Sequence, residues 1–237
     1  MSVLLVVGGT SGLGLEFVKT RISEGHKVVV VSRQEFSLQG VTSITCDLSN
    51  LQEVSIMIKE LSSSNFTFDS LLFFQRSRGN PDRDSWQSEF DVTVSSTRLF
   101  LQSSESILSD DGDKSIVIVN SVAGTFITRD ATDSYQISKA ALLHLARYYA
   151  AKLGKAGIRI NTVTPFTFVK DISRNYFESS NEWQQIVEKR IPLGRICTPI
   201  DIINLIDFLR GDKAQYITGQ EIFIDGGLSL SLGVDFN

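Results

Sequence analysis

The sequence has little with which to hold a metal or build a disulfide framework. Two cysteines, Cys46 and Cys197, and two histidines, His26 and His144, occur in 237 residues. The cysteines lie far apart in the chain, which fits a reduced, cytoplasmic setting. Neither histidine has ligand spacing around it, so no metal is expected. There is no excess of basic charge: 23 Lys and Arg against 27 Asp and Glu give a net charge of -4. That balance offers no electrostatic reason to bind nucleic acid or an anionic membrane. Long apolar runs are missing too. The opening run from Val3 to Val7 is too short to span a bilayer and has no basic flank. No internal repeat or second domain is visible.

What is present is a soluble, globular composition, 42% hydrophobic and 21% charged. The length suits one large α/β domain, 1–237, with a substantial core. Short apolar runs at 2–7, 27–31, 41–46, 71–74, 115–119, 158–163 and 221–224 read as buried parallel strands. Helical periodicity fills 13–24, 49–63, 86–108, 133–156 and 199–210 between them. The fold class expected is therefore α/β: a doubly wound parallel sheet of about seven strands in three layers.

Three glycines stand directly after the first strand, in Gly8-Gly9-Thr10-Ser11-Gly12-Leu13-Gly14. A strand, this loop, a helix and a second strand fit within the first 31 residues. That is the setting of a dinucleotide-binding loop. Gly8 permits a tight turn, Gly12 lets backbone approach a pyrophosphate, and Gly14 allows close helix packing. The N–H groups at the helix start attract phosphate. The second strand ends in Ser32-Arg33, where an acidic residue would receive the adenosine ribose and repel a 2′-phosphate. A guanidinium there suits a phosphate dianion, so NADP is favoured over NAD. Asp47-Leu48 closes the third strand. Asp47 suits an adenine amino group, the cap of the next helix, or both.

Tyr135 and Lys139 are four residues apart on the 133–156 helix, so both project from one face. A tyrosine hydroxyl in water titrates near ~10, and a neighbouring ammonium favours its ionised form. The pair is thus a candidate proton-transfer device. Ser121 follows the fifth strand, where open α/β sheets bind ligands. Residues 166–195 have weak periodicity and several aromatics, which fits a substrate lid. Arg76, Arg78 and Arg129 offer a way to guide an anionic substrate, or simply solvate loops.

With these motifs in view, the chain resembles the short-chain dehydrogenases/reductases, in their single-domain, ketoreductase-like branch. The likeness runs from the glycine loop to Gly219-Gln220-Glu221-Ile222-Phe223-Ile224-Asp225-Gly226-Gly227. It rests on the Gly-x-x-x-Gly-x-Gly spacing and on Ser121, Tyr135 and Lys139 in order. The Tyr-x-x-x-Lys spacing is similar to that of carbonyl reductases rather than of enoyl reductases, which place the lysine further on. The resemblance implies that Tyr135 is the general acid in reduction and Lys139 holds the nicotinamide ribose. It implies that Ser121 polarises the substrate carbonyl. It extends the cofactor-binding set to Gly8, Thr10, Ser11, Gly12, Leu13, Gly14, Ser32, Arg33, Asp47, Leu48 and Pro165, with Tyr135 and Lys139. It further implies a homodimer or homotetramer built through the helices around Trp86 and Tyr135, with a small carbonyl or alcohol as partner.

The chain departs from that family at four places. Phe73-Phe74-Gln75-Arg76 stands where an Asn-Asn-Ala-Gly run is usual. Thr93 replaces a helix asparagine that helps a water-mediated proton relay. Phe166 replaces a glycine after Pro165, and Lys170 replaces a hydroxyl residue. These changes imply altered substrate choice, slower turnover, or a catalytically silent NADP-binding or scaffold protein.

Overall fold

Strands β1 (Val3–Val7), β2 (Lys27–Ser32), β3 (Val41–Thr45), β4 (Ser70–Phe73), β5 (Ser115–Val119), β6 (Arg159–Pro165) and β7 (Glu221–Ile224) form one sheet. Every neighbouring pair is parallel, in the order β3-β2-β1-β4-β5-β6-β7. The description comes from a computed structural model and covers residues 1–64, 66–77, 85–110, 114–129, 131–166 and 190–230. The central strands are apolar at nearly every position because both sheet faces are covered.

Side-chain alternation along each strand sorts the core into two layers. On one face, Leu4 and Val6 of β1 join Phe17 and Val18 of α1 (Gly12–Ser23). Ile202, Ile203 and Ile206 of α7 (Pro199–Arg210) complete that layer. On the other face, Leu5 and Val7 meet Val54 and Ile58 of α2 (Leu51–Ser63). Phe100 and Leu101 of α4 (Ser96–Gln102) and Leu142 and Tyr149 of α6 (Asp133–Leu153) close it. The result is the three-layer, seven-stranded arrangement that the apolar runs imply.

The long helix expected at 86–108 is broken. It starts as α3 (Trp86–Phe90), widens into a π-helical segment (Asp91–Ser95), resumes as α4 and ends in the short α5 (Ser104–Ile107). Hydroxyl groups account for the change. Ser96 Oγ donates to the Val92 carbonyl and Thr97 Oγ1 to the Thr93 carbonyl, both at 2.8 Å. Ser and Thr that bond back to the preceding turn compete with the regular backbone ladder. Ser104 Oγ likewise donates to the Leu101 carbonyl at the α4–α5 junction. Asp47 is not the cap of α2. Asn50 Oδ1 accepts from the Glu53 N–H, while Asp47 Oδ1 receives the Ser49 N–H and hydroxyl.

Candidate active site

The strand order reverses between β1 and β4, because the chain builds β1, β2 and β3 outward one way and β4 to β7 the other. Such a reversal leaves a crevice beyond the carboxyl ends of the two strands. The Gly8 loop leaves β1 there, and Gln75 leaves β4. Gly8 has φ +86°, and a Cβ on it would lie 2.6 Å from the Gln75 nitrogen. A Cβ on Gly14 would run into the Gly8 carbonyl oxygen. No side chain other than hydrogen fits at these two positions. Gly12 differs: nothing lies within 4 Å of where its Cβ would be. The start of α1 therefore opens onto free space, and its first turn carries no acidic residue. Thr10 and Ser11 reach the surface of this loop, while Leu13 turns into the core. N–H groups at an uncrowded helix start, with no carboxylate to repel an anion, fit a pyrophosphate.

Ser32 is the last residue of β2 and is buried. Its hydroxyl donates to the Gln34 carbonyl at 2.6 Å. Arg33, next to it, is exposed. Leu48 packs into the core beside Val54, and Asp47 is half-buried at the end of β3. Pro165 ends β6 opposite Ile224 of β7.

Tyr135 lies in the first turn of α6, and Thr132 Oγ1 caps that turn by accepting the Tyr135 N–H at 3.3 Å. Lys139 is one turn further on. It is only 3% exposed, and its Nζ lies 5.9 Å from the centre of the Tyr135 ring. The same Nζ donates to the Val119 carbonyl at the end of β5, at 3.4 Å. Ser121 follows two residues later and caps the single turn Val122–Gly124 by accepting the Ala123 N–H. That turn lies directly on α6: a Cβ on Gly124 would be 2.9 Å from the Lys139 backbone carbon. The close approach holds the turn that follows Ser121 against the helix that carries Tyr135 and Lys139. Among the described residues, the Ser121 hydroxyl proton has no acceptor, so it is available to a ligand oxygen.

Burial pushes the Lys139 ammonium down to about 8, and the Arg76 guanidinium pushes in the same direction. Glu89, on α3, opposes both. Arg76 comes from the loop after β4 and stacks its guanidinium 4.8 Å above the Tyr135 ring. Neither Arg76 on the phenol nor Glu89 facing Lys139 was legible from spacing, since both depend on how α3 and the β4 loop dock on α6. Arg129 is exposed. Arg78, Lys170 and most of the expected lid lie outside the described residues.

A family model described as enoyl-(acyl carrier protein) reductase matches residues 7–229. A tropinone reductase homologue of Arabidopsis thaliana is 32% identical over 247 residues, covering 96% of this chain and 79% of its own length. The chain belongs to the short-chain dehydrogenase/reductase family. A 7alpha-hydroxysteroid dehydrogenase of Bacteroides fragilis is 28% identical, with 96% and 94% of the two chains covered. A short-chain dehydrogenase family protein of Francisella tularensis superposes with a TM-score of 0.80 at 31% identity, covering 97% and 99%. A short-chain dehydrogenase of Leptospira borgpetersenii, solved with bound NAD+, gives a TM-score of 0.81 at 24% identity, covering 96% and 92%, and shows the likeness of fold.

Short-chain dehydrogenases/reductases are oxidoreductases that work with a nicotinamide cofactor, and the glycine loop and α1 start described above fit that group. In this member three of the four departures fall among the described residues. Gln75 donates its Nε2 proton to Thr97 Oγ1, which in turn donates to the Thr93 carbonyl. A Gln-Thr-Thr chain thus ties the β4 end to the π segment. Phe166 is 37% exposed at the end of β6. Among the described residues, no helix is long and apolar enough to cross a membrane.

Proposed function

We propose that this protein is an NADP-dependent oxidoreductase acting on a ketone or its secondary alcohol. One observation carries the reading: a buried ammonium, a phenol and an alcohol with a spare proton surround the end of β5, beside the crevice at the sheet's reversal point. When bound, the cofactor supplies the hydride. In reduction, the Ser121 O–H donates to the substrate carbonyl oxygen and polarises it. Tyr135 Oη gives its proton to that oxygen as the carbon becomes an alcohol carbon. Positive charge on Lys139 and Arg76 stabilises the negative charge left on Tyr135 Oη. Oxidation runs the same proton backwards.

For the cofactor, Arg33 and the presence of Ser32 rather than an acidic residue at the end of β2 favour a 2′-phosphate. The whole chain acts as one domain in this reading, and exposed Ile137 and Tyr148 on α6 leave a face for a homodimer or homotetramer.

The test is Tyr135→Phe, assayed by NADPH oxidation against a panel of ketones and enoyl thioesters. Turnover of a ketone should fall by about 10³-fold or more, since proton transfer alone contributes roughly 10²–10⁴. NADPH binding, read by fluorescence titration, should be unchanged. Full activity in the variant overturns the assignment. Tight NADPH binding by the wild type with no turnover on any compound would favour the silent, cofactor-binding scaffold instead. Turnover confined to the enoyl thioesters would move the reaction from carbonyl to double-bond reduction.

A further inference from the structure

Among the described residues, several buried side-chain polar atoms have no hydrogen-bond partner, and five of them belong to segments that meet around Lys139. They are Gln75 Oε1, Glu89 Oε2, Thr93 Oγ1 and both amide atoms of Asn120. Gln75, Glu89, Thr93 and Asn120 are each 8% exposed or less. The fold brings them together. Glu89 and Thr93 are four apart along α3 and the π segment, so they share a face. Both segments pack on α6. Gln75 is bonded to Thr97, the next residue along that face. The β4–β5 register pairs Phe73 with Ile118, which places Gln75 level with Asn120 just beyond the strand ends. Val119, beside Asn120, accepts the Lys139 ammonium.

Buried polar atoms left without protein partners are ordinarily met by internal water. A pocket with a carboxylate, an amide, a hydroxyl and a glutamine oxygen offers such water the two to four partners it needs. We propose that Glu89 is a positioning residue for the reaction. Its buried carboxylate, joined to Lys139 through internal water held by Gln75, Thr93 and Asn120, keeps the ammonium group charged beneath Tyr135. What Lys139 then does rests on the oxidoreductase reading above; the pairing itself does not.

Among the described residues, the charges facing the pair are few. Arg76, from the β4 loop, and Glu89 act on Lys139, while Arg76 and Lys139 act on Glu89. Among the described residues, Tyr135 is the further titratable group against Lys139, on its own helix. The π segment contributes Asp91, whose carboxylate is engaged by Gln87. The Val122–Gly124 turn and β5 contribute no charged side chain. Burial and Arg76 both favour neutral lysine, so Glu89 is the group that holds the charge in place. Burial raises the Glu89 carboxyl, with Arg76 and Lys139 pulling it back. Each member of the pair thus keeps the other ionised.

The experiment follows the Lys139 side chain by carbon-13 NMR across pH in the wild type, Glu89→Gln and Glu89→Asp, with Lys139→Met identifying the signal. In Glu89→Gln the midpoint should fall by about one pH unit, the low end of what a close opposite charge exerts. In Glu89→Asp, one methylene shorter, it should fall by less. The alkaline limb of kcat/KM should move down with it. An unmoved Lys139 midpoint in folded Glu89→Gln overturns the proposal. So does a lower kcat with the limb in its original place, which would mark a merely structural role. Should Glu89→Gln not fold, Glu89→Asp decides by the same criterion. If the midpoint moves but the wild type turns over nothing, the pairing stands and the oxidoreductase reading falls.

Discussion

In the proposed reading a single residue, Arg33, carries the choice between two cofactors that differ by one phosphate. It stands exposed directly after Ser32, whose own hydroxyl is committed to the Gln34 carbonyl. The guanidinium is therefore the group at the end of β2 with charge to offer a 2′-phosphate. Arg33→Ala should weaken NADPH by about 10–100-fold, on the scale of ~1.5–3 kcal/mol for a charge-assisted hydrogen bond, and leave NADH nearly unchanged. Titration of each dinucleotide against both proteins checks this. Equal losses for NADPH and NADH would show that Arg33 supports the loop rather than the phosphate. Residue-level reading from the sequence reached proximity where it follows from spacing: Tyr135 and Lys139 share a helix face, with the ammonium 5.9 Å from the ring centre. It marked Arg76 only as a guide for an anionic substrate or a loop residue, not as a partner of Tyr135, and it did not reach Glu89. A loop arginine and a helix glutamate look solvent-facing until the helix that covers them is placed.

Helix starts decide where the functional side chains sit. At α7, Thr198 and Asp201 form a reciprocal cap, and Arg195 grips the Asp201 carboxylate with two bonds of 2.7 and 2.9 Å. Those bonds from Arg195, joined by Thr198, hold the Asp201 carboxyl well below the usual carboxylate range. A carboxyl with a lowered folded-state value stabilises the fold above its unfolded value and loses that contribution as pH falls. Asp201→Asn should therefore cost about 1 kcal/mol at pH 7, a modest figure because the pair is largely solvated. The difference from wild type should shrink below roughly pH 4, where the unfolded carboxyl takes up its proton. Denaturant unfolding at pH 7 and pH 3 measures both terms. A constant gap across that range would refute the ionic account of the cap. The broken helix at 86–107 teaches the opposite lesson about legibility. Its apolar positions promised one continuous helix, but hydroxyl bonds from Ser96, Thr97 and Ser104 act against the backbone ladder. Such bonds depend on rotamers that packing selects.

For the whole molecule, Arg21 ties the beginning of the chain to its end. It is 5% exposed on α1, and its guanidinium meets Asp207 of α7 and Glu24, both at 2.8 Å. Phe17 lies under the same guanidinium at 5.4 Å. These contacts lock α1, which opens the cofactor crevice, onto the last long helix. Arg21→Met should lower stability by about 2 kcal/mol. Removing one partner of a fully buried pair costs roughly 3–5 kcal/mol, but Asp207 and Glu24 here keep access to water. For a chain of this size the melting temperature should drop by about 4–8 °C. Calorimetry reads the shift, and a change under ~1 °C would mean the hydrated acids need no partner.

The sequence by itself determined the order of strands and helices, the crevice-forming glycine loop and the one-turn spacing of the phenol and the amine. These follow from local rules: apolar runs that must be buried, glycine positions that admit no Cβ, and the pitch of a helix. Tertiary structure alone decided the electrostatic surroundings of that phenol and amine. Burial of Lys139, Arg76 above the Tyr135 ring and Glu89 with its unpaired neighbours arise where four separate segments meet. The field at such a meeting point depends on depth and distance, and these come into being only when the layers close.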